Sequence, residues 1–241
     1  MRKVVAAVLV GLSVWFPIAP VAQAGFSGKD LILPAVGRVE GFGGSNFYTT
    51  VWVTNPSTTE AVGYEMALLE SGHANPAPVT VTDTLAPGAT RAYENAAETL
   101  FNFRGVGGLR VRSTGRLLVS SRIYNQNAAD GVSHSQGLYS AAVPAEFGIT
   151  TGQSGVLQGV RQSVDFRYNV MIVESTGQQL GLDLAVVNSA GTTLGTRSLS
   201  LSAYEHQMIN VAAIYSGSID DAVLHVTATR GDGRAIVLGS Q

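Results

Sequence analysis

The sequence predicts an all-β chain whose mature part folds as two tandem β-sandwich domains, and three observations carry that expectation. Its segments alternate apolar and polar residues with the period of two that a strand with one buried face requires. Turn formers punctuate those segments every dozen or so residues, the spacing of sandwiches and barrels. The same series of segments also occurs twice in one order, as an internal duplication demands.

In chain order, Arg2 and Lys3 precede an apolar run from Val4 to Ile18, followed by Pro20 and Ala22-Gln23-Ala24. That is the charged, apolar and small-residue order of a secretory signal peptide. The run is shorter than the roughly 20 residues a bilayer-crossing helix needs. Cleavage is expected after Ala24, leaving domain 1 at 25–125, a linker at 126–148 and domain 2 at 149–241. A linker of that length usually carries something ordered.

The first repeat runs Leu31 to Val36, Phe47 to Val53, Val62 to Leu69, Val79 to Leu85, Gly108 to Val111 and Gly115 to Ser120. The second answers with Gly155 to Val160, Phe166 to Val173, Leu180 to Val187, Thr196 to Leu201, Val223 to Val226 and Gly233 to Leu238. Alternation points Phe47, Thr49, Val51 and Val53 inward, matched by Phe166, Tyr168, Val170 and Ile172. Asn55-Pro56-Ser57, Ala86-Pro87-Gly88, Ser113-Thr114-Gly115 and Arg230-Gly231-Asp232-Gly233 read as turns between strands. One short helical stretch per repeat is expected, at Asn95 to Phe101 and at Asn210 to Tyr215.

Composition narrows the function classes. Removing Arg2 and Lys3 leaves 13 basic residues against 17 acidic, and no Lys/Arg cluster stands out, so a nucleic-acid partner is not expected. The chain has no cysteine, which excludes disulfides, thiolate chemistry and a lipid-anchoring thiol. The expected location is secreted, extracellular or cell-surface, with the periplasm of a bacterium as a further destination. No transmembrane segment is expected in the mature chain. An outer-membrane barrel is disfavoured because the strands fall short of the roughly nine to eleven residues that span a bilayer.

A leading Leu-Pro strand, an aromatic-led strand ending in Asn55-Pro56, the turn Leu85-Ala86-Pro87-Gly88 and the run Ser120-Ser121-Arg122-Ile123-Tyr124-Asn125 together resemble tandem immunoglobulin-like repeats of uncharacterised bacterial secreted proteins. The resemblance is weaker in the second repeat, where Glu174-Ser175 replaces Asn-Pro and Ser202-Ala203 replaces Pro-Gly. It implies a sandwich fold and a surface or extracellular location, and it transfers no catalytic residue.

Candidate chemistry is sparse. No Gly-x-Ser-x-Gly elbow exists, and Ser133-His134-Ser135 reads as a polar linker tip. His73, His134, His206 and His225 lack metal-ligand spacing, and Asp220-Asp221 reads as an acidic turn, so neither metal nor cofactor is expected. Gly41-Phe42-Gly43-Gly44 and Gly105-Val106-Gly107-Gly108 lack the Lys-Ser/Thr that completes a phosphate cradle. Arg230-Gly231-Asp232 matches an adhesion tripeptide on a hairpin tip, but it reads as a turn, because Asp-Gly is the favoured hairpin turn and the tripeptide often arises by chance. Tyr48 and Trp52 are the candidate ligand-binding pair, projecting outward from one strand roughly 13 Å apart. The alternatives for them are stacking on a sugar and packing under the linker or the second domain. The expected function is therefore a non-enzymatic structural and interaction protein with a protein or polysaccharide partner at the cell surface. A carbohydrate-binding module using Tyr48 and Trp52 is the alternative.

Overall fold

The computed structural model describes residues 25–41, 44–126 and 135–241, so the expected signal peptide at 1–24 lies outside the described residues. What is described is all-β, in antiparallel sheets. The first half contains β1 (Ser27–Glu40), β2 (Asn46–Thr54), β3 (Val62–Glu70), β4 (Thr80–Leu85), β5 (Thr90–Tyr93), the short helix α1 (Ala96–Phe101) and β6 (Gly105–Asn125). β3 lies between β4 and the first part of β6, whose other edge takes β1. β2 lies between β5 and the last part of β6.

Ser113-Thr114-Gly115, expected as a turn, does not reverse the chain. β6 runs through it, while the β1 register jumps from Arg112 opposite Asp30 to Leu117 opposite Gly28. The Ser113 hydroxyl donates to the Gly115 carbonyl at 2.6 Å, which holds the extra residues as a local bulge. The expected linker is likewise built in. β7 (Gln136–Ala141) pairs with β6, and β8 (Val143–Pro144) pairs with β1. The physical reason is Ala142, fully buried in the first core, because a buried backbone must find hydrogen-bond partners.

The second half contains β9 (Ser154–Gln162), β10 (Asn169–Glu174), β11 (Leu180–Asn188), β12 (Thr193–Leu201), β13 (His206–Asn210), β14 (Ile219–Gly231) and β15 (Ala235–Ser240). Its two sheets have the orders β12-β11-β14-β9 and β13-β10-β15. Most strand pairings of the first half recur in the second, with β14 and β15 in the places of the two parts of β6. The helical stretches correspond too, since α1 follows Asn95 and a 3-10 turn, Val211–Ala213, follows Asn210. In each half the first, third, fourth and sixth strands pair together and the second pairs with the fifth and seventh; in the first half β1 also pairs with β2, Val39 opposite Phe47, which joins all its strands into one continuous sheet. The immunoglobulin constant-type order instead groups first, second, fourth and fifth.

Two large apolar clusters fill the halves. The first gathers Leu31, Leu33, Val51, Val53, Met66, Leu68, Leu109, Val111, Leu117 and Val119. The second gathers Val170, Ile172, Leu182, Leu184, Val186, Leu224 and Val226 from both sheets of its half. Burying each such side chain contributes about 1.5–3 kcal/mol. The corner after each second strand carries a buried polar residue. Asn55 donates to the carbonyls of Glu60, Leu85 and Ala86. Glu174, its counterpart, accepts from the backbone N–H groups of Thr176, Gly177, Gln178, Tyr204 and Arg234 and from the Thr176 hydroxyl.

A third, smaller cluster joins the halves: Ile32, Leu69 and Ala145 pack against Val173 and Ile236. Polar contacts flank it. Gly72 N–H donates to the His206 carbonyl at 2.8 Å and Asn75 N–H to the Ala203 carbonyl at 2.9 Å. The Asn75 side chain also donates to the Tyr204 carbonyl, and Arg110, paired in two-pronged fashion with Asp30, lies over the Tyr204 ring. Gly108 permits the close approach, since a Cβ there would stand 3.2 Å from Val173 and 3.4 Å from His206.

Candidate functional site

Alternation along β2 and β6 decides which side chains share a face. Val51, Val53, Leu117 and Val119 enter the first core, so Tyr48, Thr50 and Trp52 stand on the outer face. Register sets Tyr48 opposite Tyr124, Thr50 opposite Arg122 and Trp52 opposite Ser120, while Tyr139 of β7 lies opposite Arg122. Directly opposed residues share a face, which gathers Tyr48, Trp52, Arg122, Tyr124 and Tyr139 into one patch.

That patch is internally ordered. Tyr48 and Tyr124 stack with centroids 5.8 Å apart and planes 21° apart. Arg38 lies over Tyr48 from the β1 side at 4.3 Å, and Arg122 lies 5.3 Å from the Tyr124 centroid. Both cations are anchored: Arg38 Nε lies 3.4 Å from the Glu98 carboxylate, and Arg122 donates to the carbonyl and hydroxyl of Ser135 at 2.9 and 3.0 Å. Tyr48 and Trp52 are half-buried, whereas Tyr139 is 62% exposed. Tyr48 thus has a guanidinium on one side and a ring on the other, which leaves little of its face for a sugar. Arg38, Arg122, Tyr124 and Tyr139 were not singled out from sequence. For Arg122 and Tyr124 the usable signal was the alternation in Ser120-Ser121-Arg122-Ile123-Tyr124, which places them on the same side as Ser120.

A second cluster bridges β4 and β5, the two edge strands of the first half. The Tyr93 hydroxyl donates to Asp83 at 2.6 Å, so the 2.5 Å contact between Tyr64 and Tyr93 has Tyr64 as donor. Arg91 pairs with the same carboxylate. The hydrogen bond from Tyr93 is the main influence holding the Asp83 carboxyl below its ordinary range. Burial, reinforced for Tyr93 by its bond to Asp83, pushes the Tyr64 and Tyr93 phenols upward. The cluster is a side-chain latch across a gap that no backbone pairing closes.

A shallow apolar groove of about 210 Å³ lies between the edge strands β9 and β15, lined by Val143, Phe147, Ile149, Val156, Leu157 and Val237 among others. Phe26 meets Phe147 edge-on at 5.4 Å at its rim. Arg230, Gly231 and Asp232 are exposed at the end of β14, where Gly231 has a φ of 94° and Arg230 donates to Ser200. Ser133 and His134 lie outside the described residues. Among the described residues no three His, Cys, Asp or Glu side chains group as metal ligands, and no helix is long and apolar enough to cross a membrane. The fold and these surfaces define an all-β protein of antiparallel sheets. Comparison with protein-family models, with curated proteins and with solved structures found no match.

Proposed function

We propose that this chain is a non-enzymatic secreted or cell-surface structural and interaction protein, exported by a signal peptide cleaved after Ala24. It consists of two tandem antiparallel β-sandwich domains, immunoglobulin-like in strand number and two-layer build. The observation that carries the reading is the ordered outer patch on β2, β6 and β7. Tyr, Trp and Arg are the residues that concentrate binding energy at protein interfaces, and prior ordering lowers the entropic cost of docking. The partner this patch favours is a surface protein; the glycan reading rests on Trp52 and Tyr139, because the Tyr48 ring is already stacked.

The test is crosslinking from a photoreactive residue at position 139 in the native envelope fraction, alongside co-sedimentation with cellulose, chitin and peptidoglycan. A discrete protein adduct that disappears in Trp52→Ala supports the reading. Polysaccharide binding lost in Trp52→Ala transfers the assignment to the glycan alternative. Turnover of ester, peptide or glycoside substrates overturns the non-enzymatic assignment.

A further inference from the structure

We propose that the joint between the two halves is an acid-labile coupling, released when His206 takes up a second proton. His206 begins β13, is fully buried, and faces the first half rather than its own core. Its Nε2 lies 2.9 Å from the Pro34 carbonyl oxygen. A carbonyl only accepts, so Nε2 carries the ring proton and Nδ1 is the bare nitrogen. Nδ1 is buried and has no hydrogen-bond partner among the described residues. The acceptor is available because the register of β1 on β6 slips between Leu33 and Val36, leaving Pro34 out of that pairing.

A second proton on Nδ1 would therefore sit in an apolar joint with nothing to receive it. Charged groups on the elements around the joint hold partners other than the imidazole. Asp30 of β1 and Arg110 of β6 hold each other. Glu70, at the end of β3, lies 3.9 Å from His73. Glu174 of β10 is filled by backbone donors. Glu205 accepts from Ser202 N–H and the Gln207 amide, and Arg234 beside β15 donates to the Glu146 carbonyl. None of these hydrogen-bonds to the imidazole. Opening the joint hydrates Nδ1 and restores an ordinary affinity for the proton, so acid favours the open form.

Burial lowers the His206 pKa to about 4 from its ordinary 6.5. Linkage between those two values multiplies the open-to-closed ratio by about a hundredfold between pH 7 and pH 4. The experiment is native-state amide exchange on the full chain across that range, expressed as protection factors. Gly72 and Asn75, which donate across the joint, are compared with Leu184 and Val226, which face each other inside the second half. The expected result is a loss of up to about a hundredfold at Gly72 and Asn75 while Leu184 and Val226 keep their protection, and a flat profile in His206→Gln. Constant protection at the joint, a decline in step with Leu184 and Val226, or an unchanged decline in His206→Gln overturns the proposal. Should His206→Gln not fold, the native chain alone decides through the contrast between the two amide pairs.

Discussion

Replacing Glu174 by Gln changes one atom of a buried side chain, and the surrounding donors determine what that atom is worth. One carboxylate oxygen accepts from Thr176 N–H at 2.8 Å, the Thr176 hydroxyl at 2.5 Å and Arg234 N–H at 3.2 Å. The other accepts from Gly177 at 2.7 Å, Tyr204 at 3.0 Å and Gln178 at 3.2 Å. Whichever way the amide turns, its NH₂ meets at least two backbone N–H donors. A buried donor without an acceptor costs about 1–3 kcal/mol. With two or more such donors, and partial relaxation of the turn at residues 176–178, the expected loss is about 2–5 kcal/mol. In a chain of this size that is a fall of about 10 °C in midpoint. The assay is urea unfolding of Glu174→Gln against wild type, with the exposed Glu146→Gln as control. A loss no greater than the ~1 kcal/mol of an exposed pair would refute the assignment of Glu174 as the organiser of this corner.

Other predictions follow from the latch and the cores. Tyr93→Phe should cost about 1–3 kcal/mol by removing the donor to Asp83 and the acceptor of Tyr64; an unchanged urea midpoint contradicts the latch. The phenols of Tyr64, Tyr93 and Tyr168 are pushed upward, in each case chiefly by burial. Their contribution to stability is therefore complete below the ordinary tyrosine pKa near 10 and declines as pH rises above it. Phenolate absorbance should show these three titrating late or only on unfolding, and simultaneous titration of all eight tyrosines argues otherwise. Leu109→Ala and Leu184→Ala should each cost about 2–5 kcal/mol. Because they sit in separate clusters, the double variant should be additive to within about 0.5 kcal/mol. A coupling above roughly 1 kcal/mol would mean that the two cores are not independent.

Strand identity was legible wherever one face is buried and the other wet. Of the inward set expected on β2, Thr49, Val51 and Val53 are fully buried, whereas Phe47, at the start of the strand, is only partly so. The segments matched between the halves fall on strands, and a short helical stretch follows both Asn95 and Asn210. β5 and β13 escaped because Thr90–Tyr93 is short, its first three residues are exposed, and His206–Asn210 gives no clean period. Ser113-Thr114-Gly115 misled because the composition of a bulge is that of a turn; only the neighbouring strand's register distinguishes them. Trp52 and Tyr48 were correctly placed outward, but Arg38 reaches Tyr48 from a different strand, and that contact depends on tertiary pairing. His206 carried no local signal at all, since its burial arises from the meeting of two halves.

The continuity of β6 has a consequence for how the chain assembles. β1, β2 and β3 all take their central neighbour from it, with Ser27 meeting Leu118 and Tyr64 meeting Ser113. An emerging polypeptide can thus form only the outer hairpin of β3 with β4 and the contacts of β2 with β1 and β5 before residue 105 appears. Pairings so distant in sequence form slowly. The first half therefore stays open until its sixth strand is delivered, whereas the second half assembles around the separate strands β14 and β15.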